Sequence, residues 1–128
     1  NDGDVDIVVT NNNAASNLLR NEGGNRKNWL SVKLVGTRSN RSAIGARVRI
    51  VAAGESQLQQ VTSGSSFLSQ SDLRLHFGLG AAKSADRLEV LWPSGARDNF
   101  PNVPANQFIR IREGSGEIEK IEFKPRPL

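Results

Sequence analysis

Short stretches in which apolar and polar side chains alternate recur along most of this chain. In the segment 29–35, WLSVKLV, the side chains of Leu30, Val32 and Leu34 share one face, and Ser31 and Lys33 lie on the other. Residues two apart in a strand point to the same face of a sheet, so this period predicts strands that are buried on one side. The same period predicts further strands at 47–51, 58–61, 73–77, 87–92, 108–112 and 117–121.

These segments predict an all-β fold, a β-sandwich or barrel-like single domain. The 128 residues fit one domain, and Gly, Ser, Asn and Pro punctuate many short strands, as is typical of sandwiches and barrels. No stretch has a convincing helical period, and residues 81–85 could make at most one helical turn. The residues predicted to be buried are Leu30, Val32, Leu34, Val48, Ile50, Leu73, Leu75, Phe77, Leu88, Val90 and Trp92.

The first 24 residues have a different character. Asp2, Asp4 and Asp6 crowd three carboxylates into one turn, and like charges this close are tolerated best beside a cation or open water. Apolar residues at 7–9 and at 18–19 then predict two strands separated by a polar, Asn-rich connection. This pattern predicts one hairpin of a repetitive structure.

Composition excludes several classes of site and protein. The chain has no cysteine, which excludes a disulfide framework, thiol catalysis and a thiolate zinc site. No apolar run is long enough to cross a membrane, and no signal-peptide pattern is present. The absence of methionine, even at position 1, leads us to expect a processed or excised chain.

The net charge of +4 is unevenly placed, because no acidic residue lies between Glu22 and Glu55. Such a basic stretch could contact nucleic acid, an acidic glycan or an anionic surface. The absence of interleaved aromatic residues disfavours nucleic acid, and a solvated strand surface is the simpler interpretation. The basic residues of this stretch are Arg26, Lys27, Lys33, Arg38, Arg41, Arg47 and Arg49.

One histidine is present, and it raises the question of a hydrolase. His76 follows Ser66, Ser69 and Asp72 along the chain, so a Ser-His-Asp arrangement is conceivable. No G-x-S-x-G nucleophile turn surrounds the serines, and a lone imidazole cannot form a histidine-based metal site. We therefore interpret SGSSFLSQSD as a tight connection whose hydroxyl groups bond the local backbone.

Two further motifs have competing interpretations. Gly78 and Gly80 could suggest a phosphate loop, but no Lys-Ser/Thr follows them, so a turn after the strand is favoured. Trp92 could stack on a sugar ring, but its alternation with Leu88 and Val90 favours burial, with a β-turn at Trp-Pro-Ser-Gly.

Several motifs in order resemble a known family. The segments NWLSVKLVGTRSNRSAIGARVRI, SGSSFLSQSD, HFGLG and WPSG resemble an ASPIC/UnbV domain over roughly residues 28–113. The opening NDGDVDIVVTNNN, followed by LLRNEGG, resembles the last FG-GAP or VCBS-type repeat of a β-propeller. The resemblance implies a partial, propeller-type hairpin at 1–24 and an ASPIC/UnbV-like β domain at 25–113. Residues 114–128 lie outside it, and Gly-Ser-Gly at 114–116 between two predicted strands indicates a C-terminal hairpin or tail there.

The propeller resemblance also implies a calcium loop. Aligned through Gly3, the family pattern places Asp2 at its fifth, Asp4 at its seventh and Asp6 at its ninth position, the seventh contributing a backbone carbonyl. The ligands at its first and third positions would precede Asn1. Calcium takes six to eight oxygen ligands, so we expect this site to be weak or empty in this chain, and calcium to bind in the intact parent.

The family occurs in bacterial secreted or surface proteins and in the cartilage acidic proteins of animals. The resemblance implies a non-catalytic module, extracellular, cell-surface or periplasmic, that caps a calcium-binding propeller and serves adhesion or ligand binding. The alternative is a carbohydrate-binding accessory domain of a surface enzyme, using the basic 26–49 stretch or Trp92. The expected partners are the propeller and a glycan or acidic surface, with no nucleic acid and no membrane span.

Overall fold

Residues 2–123 are described by the computed structural model of this chain. Their regular structure consists of strands and one 3-10 turn, Gly24–Arg26, and contains no α-helix. The strands are β1 (Ile7–Asn11), β2 (Ala14–Leu19), β3 (Asn28–Val35), β4 (Arg47–Ala52), β5 (Glu55–Gln60), β6 (Leu75–Gly80), β7 (Ser84–Leu91), β8 (Arg97–Pro104), β9 (Gln107–Arg112) and β10 (Ile118–Ile121).

Eight of these strands form two four-stranded sheets, which confirms the all-β prediction and gives a β-sandwich. The first sheet has the order β10-β9-β3-β6, and the second has the order β5-β4-β7-β8. Only the pairing of β3 with β9 is parallel among the described strands, so the first sheet is mixed. The predicted hairpin at 114–116 joins β9 to β10, and the rest of the predicted tail, 124–128, lies outside the described residues.

The core lies between the two sheets and contains the side chains that alternation assigned to it. Leu30 and Ile109 of the first sheet and Ile50 and Leu88 of the second are all within 1% of complete burial. Every residue predicted to be buried is buried except Leu73, which is partly exposed and packs against the core. No described helix is long and apolar enough to span a membrane.

Strand β8 is the element that the alternation did not predict. Its sequence, RDNFPNVP, contains Pro101 and Pro104, and proline cannot donate a backbone hydrogen bond to a neighbouring strand. The strand lies at the edge of the second sheet and pairs only with β7, so one side of its backbone needs no partner. Phe100 and Val103 still reach the core.

Glycine residues with positive φ angles lie in the turn after β6 and in the turn between β4 and β5. The turn predicted after the strand at 73–77 forms later than expected, because β6 continues to Gly80 and Gly78 pairs with Trp29 of β3. The turn closes with the N–H of Ala82 donating to the carbonyl of Leu79 at 3.0 Å, and Gly80 within it has a φ of 59°. The β4–β5 hairpin turns at Ala53 and Gly54, whose φ angles are 49° and 80°. Two positive φ angles are what the tightest right-twisted hairpins require, and glycine adopts them without strain.

The N-terminal hairpin stands apart from the sandwich. Strands β1 and β2 pair with each other in a two-stranded sheet, and every residue in them is exposed. The hairpin therefore extends neither of the two sheets of the sandwich. Gly3 gives the segment a contact with the domain: a Cβ there would lie 2.4 Å from Cε2 of Trp29, so only glycine permits this approach.

Three loops meet at the carboxylate of Glu113, which is 4% exposed. The backbone N–H groups of Thr37, Arg38 and Ser39 donate to Oε2 at 2.8, 2.9 and 2.8 Å. The hydroxyl groups of Ser39 and Ser94 donate to Oε1. One side chain after β9 thus holds the loop after β3 in the first sheet and the β7–β8 turn in the second.

Burial alone would raise the pKa of Glu113, but these hydrogen bonds favour the ionised form. Donation from the backbone of Ser39, the hydroxyl of Ser94 and the backbone of Thr37 outweighs burial and lowers the pKa from 4.5 to about 2. A carboxyl group whose pKa is lower in the folded state stabilises the fold above its unfolded pKa. This contribution is complete above pH 4.5 and is lost as the pH falls towards 2.

Replacing Glu113 with glutamine is expected to lower the free energy of unfolding at pH 7 by about 1–3 kcal/mol, because buried donors lose a charged acceptor. The variant should also lose the decline in stability between pH 4.5 and 2 that the wild type owes to this group. Urea denaturation at several pH values would measure both effects. Glu119→Gln, in an exposed ion pair, is the control and should change stability by less than about 1 kcal/mol. Equal effects of the two substitutions would contradict this role of Glu113.

Deleting residues 1–24 is expected to lower the melting temperature or to change the oligomeric state. The deletion removes the Gly3 contact that covers Trp29, and with it an exposed two-stranded sheet whose edges could pair with another chain. Differential scanning calorimetry and sedimentation velocity would test this. Unchanged values in both would show that the hairpin is an inert appendage.

Candidate functional site: a basic groove on the outer face of the first sheet

The outer face of the first sheet carries basic side chains in register across neighbouring strands. Lys33 of β3 pairs with Arg110 of β9, so the two side chains stand side by side on the same face. On the other side of β3, Val32 pairs with Leu75, the first residue of β6. Arg74 immediately precedes β6 and lines the same groove as Lys33, so continuing the register by one residue brings the two side chains together. Three cationic side chains therefore form one row, with Lys33 on β3, Arg110 on β9 and Arg74 immediately before β6.

Arg74, at one end of this row, is held by a carboxylate and by two aromatic rings. Asp72 accepts hydrogen bonds from the backbone N–H of Arg74 at 2.8 Å and from its Nε at 2.7 Å. The hydrogen bond from the Arg74 side chain lowers the pKa of Asp72, and the charge of Lys33 adds to the effect. The guanidinium carbon of Arg74 lies 5.2 Å from the ring centre of Phe108 and 5.3 Å from that of Phe123.

Arg110, at the other end, forms an ion pair with Glu119 of β10. Its Nη1 donates to both carboxylate oxygens of Glu119 at 3.1 Å. Lys33, between the two arginines, forms no ion pair among residues 2–123, and neither does Arg112 farther along β9. The middle of the row is therefore the part whose charge is least neutralised.

These side chains line an open groove of about 760 Å³. Arg41, from the loop after β3, brings the number of lining cationic residues to five, whereas Asp72 is the one lining carboxylate among the described residues. Such an excess of one sign in a concave surface concentrates anions near it. The groove is lined by Lys33, Leu34, Val35, Arg41, Ser42, Asp72, Leu73, Arg74, Arg110, Arg112, Ile121 and Phe123.

An aromatic cluster adjoins the row of cations. The ring of Phe108 packs edge-on against Trp29 at 4.9 Å and against Phe123 at 4.8 Å, and Trp29 stacks on His76 at 5.7 Å. Burial lowers the pKa of His76, and the charge of Asp4 opposes this shift only in part. His76 is therefore a neutral aromatic neighbour of Trp29 at pH 7.

The conceivable Ser-His-Asp arrangement does not form in the described residues. Asp72 is engaged by Arg74, and His76 packs against Trp29 without a hydrogen bond to Ser66 or Ser69. These residues therefore lack the hydrogen-bonded relay that a serine nucleophile needs.

The SGSSFLSQSD segment lies in the loop of residues 61–74 between β5 and β6, which is longer than the tight connection predicted and is narrowed at its tip by a bridge between Ser66 and Ser69. Its hydrogen bonds also differ from those expected. Gln70 accepts from the backbone N–H of Gly64 at 2.7 Å, and the hydroxyls of Ser65 and Ser71 bond each other at 2.7 Å rather than the backbone. The tip presents Phe67 and Leu68, which are 88% and 91% exposed.

Trp92 is 2% exposed, which confirms the burial favoured by its alternation and removes it as a sugar platform. Its Nε1–H donates to Asp98 at 2.7 Å, and the predicted turn closes with the N–H of Gly95 donating to the carbonyl of Trp92 at 2.9 Å. A substitution here would test folding rather than binding.

The basic stretch at 26–49 does not form one face. Lys33 and Arg41 line the groove, whereas Arg47 and Arg49 lie on β4 of the second sheet, beside Glu89 and Arg97. Sequence reasoning grouped residues that are close along the chain and missed the contribution of β9. The alternation in QFIRIR, which directs Phe108, Arg110 and Arg112 outwards, was the signal available for it.

The three N-terminal carboxylates do not converge on one point. Asp2 accepts from the backbone N–H of Asp4 at 3.2 Å, and Asp6 accepts from the backbone N–H of Asn21 at 2.9 Å. Both carboxylate oxygens of Asp4 are buried without a hydrogen-bond partner. Among the described residues, no cluster of three or more acidic, histidine or cysteine side chains is placed to hold a metal ion.

A known protein family matches most of the sandwich. The family model described as ASPIC and UnbV matches residues 36–118, more than half of the chain. The chain belongs to the ASPIC and UnbV family. The match includes β4 to β9, the Glu113 carboxylate and the basic residues of the groove except Lys33. No curated protein matches the chain.

Calcium is expected to raise the melting temperature of this chain barely, if at all. Asp2 and Asp6 hydrogen-bond separate backbone groups, so the described carboxylates offer too few convergent oxygens to replace calcium's water shell. Differential scanning fluorimetry with calcium, and with magnesium as the control cation, would test this. Tight, stoichiometric calcium binding in a calorimetric titration would contradict both this expectation and the alignment through Gly3.

Proposed function

We propose that this chain is a non-catalytic binding module of an extracellular, cell-surface or periplasmic protein. In this proposal it caps a calcium-binding propeller and contributes to adhesion or ligand binding. The observation that carries the binding role is the basic groove, where five cationic residues meet one carboxylate among the described lining residues. A surface of this charge selects an anionic ligand.

The propeller role rests on the N-terminal segment. The resemblance of residues 1–24 to an FG-GAP or VCBS-type repeat, and of the whole to cartilage acidic protein-like chains, motivates it. Strands β1 and β2 form a separate hairpin in which every residue is exposed. A strand pair taken from a larger sheet would have this exposure. Calcium would then bind in the intact parent protein, where further ligands would complete the loop of Asp2, Asp4 and Asp6.

The absence of catalysis is part of the proposal. Asp72, which would have to orient the base, is instead engaged by Arg74, and His76, the would-be base, is stacked on Trp29. The alternative proposal is a carbohydrate-binding accessory domain of a surface enzyme. The groove supports this alternative because it offers charged donors on an open face, whereas buried Trp92 does not.

Titration with polyglutamate, used as a general polyanion, is expected to shift the backbone amide resonances of β3 and β9 in a ¹H–¹⁵N NMR spectrum. The cause is anion binding in the groove, whose walls include Lys33, Arg110 and Arg112. Resonances of Arg47 and Arg49, on the second sheet, provide the internal control. Shifts spread equally over both sheets, or no shifts at all, would contradict the proposed binding role.

A further inference from the structure

We propose that the groove binds an acidic polysaccharide, whose repeated carboxylate or sulfate groups lie along the row Arg74–Lys33–Arg110. This inference rests on the proposed binding function and names the class of ligand. Lys33 is the central contact, because the charges on either side of it are already paired within the protein.

The cations of this row repel one another, and only part of that repulsion is offset within the protein. Lys33 and Arg110 are directly paired across two strands, and like charges in that position repel each other. Asp72 and Glu119 neutralise the two ends, but no described carboxylate forms an ion pair with the centre. An anionic group bound at Lys33 would neutralise the charge at the centre of the row, as Asp72 and Glu119 do at its ends.

The spacing of the row favours a polymer over a small anion. Neighbouring strands lie about 4.8 Å apart, so the backbones that carry Arg74 and Arg110 are separated by roughly 10 Å. Arg112 and Arg41 extend the basic surface beyond the row. A single small anion can contact only part of this surface, whereas a chain with a charge on successive units can contact the cations one after another.

The contacts that already cover the aromatic rings favour a polysaccharide over single-stranded nucleic acid as the ligand. Proteins that bind single strands combine positive charge with open aromatic faces on which bases stack. Here the Arg74 guanidinium lies over Phe108 and Phe123, and Trp29 is 8% exposed and stacks on His76. The groove therefore offers charge and hydrogen-bond donors but few free platforms for bases.

The full chain would be titrated by isothermal calorimetry with polygalacturonate, heparin, neutral dextran, polyglutamate, a single-stranded DNA oligonucleotide and vesicles containing phosphatidylglycerol. We expect polygalacturonate or heparin to bind more tightly than every other probe, and dextran not to bind. Comparison of these two polysaccharides distinguishes carboxylate from sulfate recognition. Lys33→Gln should weaken the preferred polysaccharide roughly tenfold or more, as loss of a charged hydrogen bond does.

Arg47→Gln is the matched control, because it removes the same charge from the second sheet. It should change the dissociation constant by less than about twofold if binding is localised in the groove. The melting temperature of Lys33→Gln should be equal to or above that of the wild type, which separates lost binding from lost folding.

The outcomes separate this inference from the function on which it rests. Tighter binding of DNA, vesicles or polyglutamate, still lost in Lys33→Gln, would overturn the polysaccharide class and leave the groove as an anion-binding site. Equal weakening by Lys33→Gln and Arg47→Gln would overturn both, because binding would then follow net charge alone. Binding of neutral dextran as tight as that of the acidic chains would overturn the recognition of charge.

Discussion

The buried carboxylate of Glu113 is the contact on which the arrangement of the two sheets depends. Its oxygens accept from three consecutive backbone N–H groups in the loop after β3 and from the hydroxyls of Ser39 and Ser94. Each donor would be costly to bury without an acceptor. Asp98 adds a parallel link nearby, because it accepts from the indole of Trp92 and from the backbone of Gly114.

This contact also positions the groove. Arg112 immediately precedes Glu113, and Arg41 follows the loop whose N–H groups surround the carboxylate, so both basic residues are attached to backbone that Glu113 holds. The backbone N–H of Glu113 in turn donates to the carbonyl of Val35 at 2.9 Å, which extends the parallel pairing of β3 and β9. A buried negative charge thus organises a surface of exposed positive charges.

The sequence predicted the core better than it predicted the surface. Alternation identified Leu30, Ile50 and Val90 because burial imposes a period of two on each strand separately. It could not show which strands would be neighbours, and the parallel pairing of β3 with β9 joins residues more than seventy positions apart. The groove depends on that pairing, so Lys33 was grouped with Arg47 nearby in sequence rather than with Arg110 nearby in space.

The same distinction explains why Glu113 was not recognised and what its environment means for the groove. A glutamate after a basic strand reads as a solvated charge, since its partners are backbone N–H groups that carry no sequence signal. Hydrogen-bond donors surround the carboxylate of Glu113, and carboxylates form ion pairs with Arg74 and Arg110. Lys33 lies between those pairs without one among the described residues. Because the cations on both sides of Lys33 are paired within the protein, Lys33 is the position at which an external anion would bind.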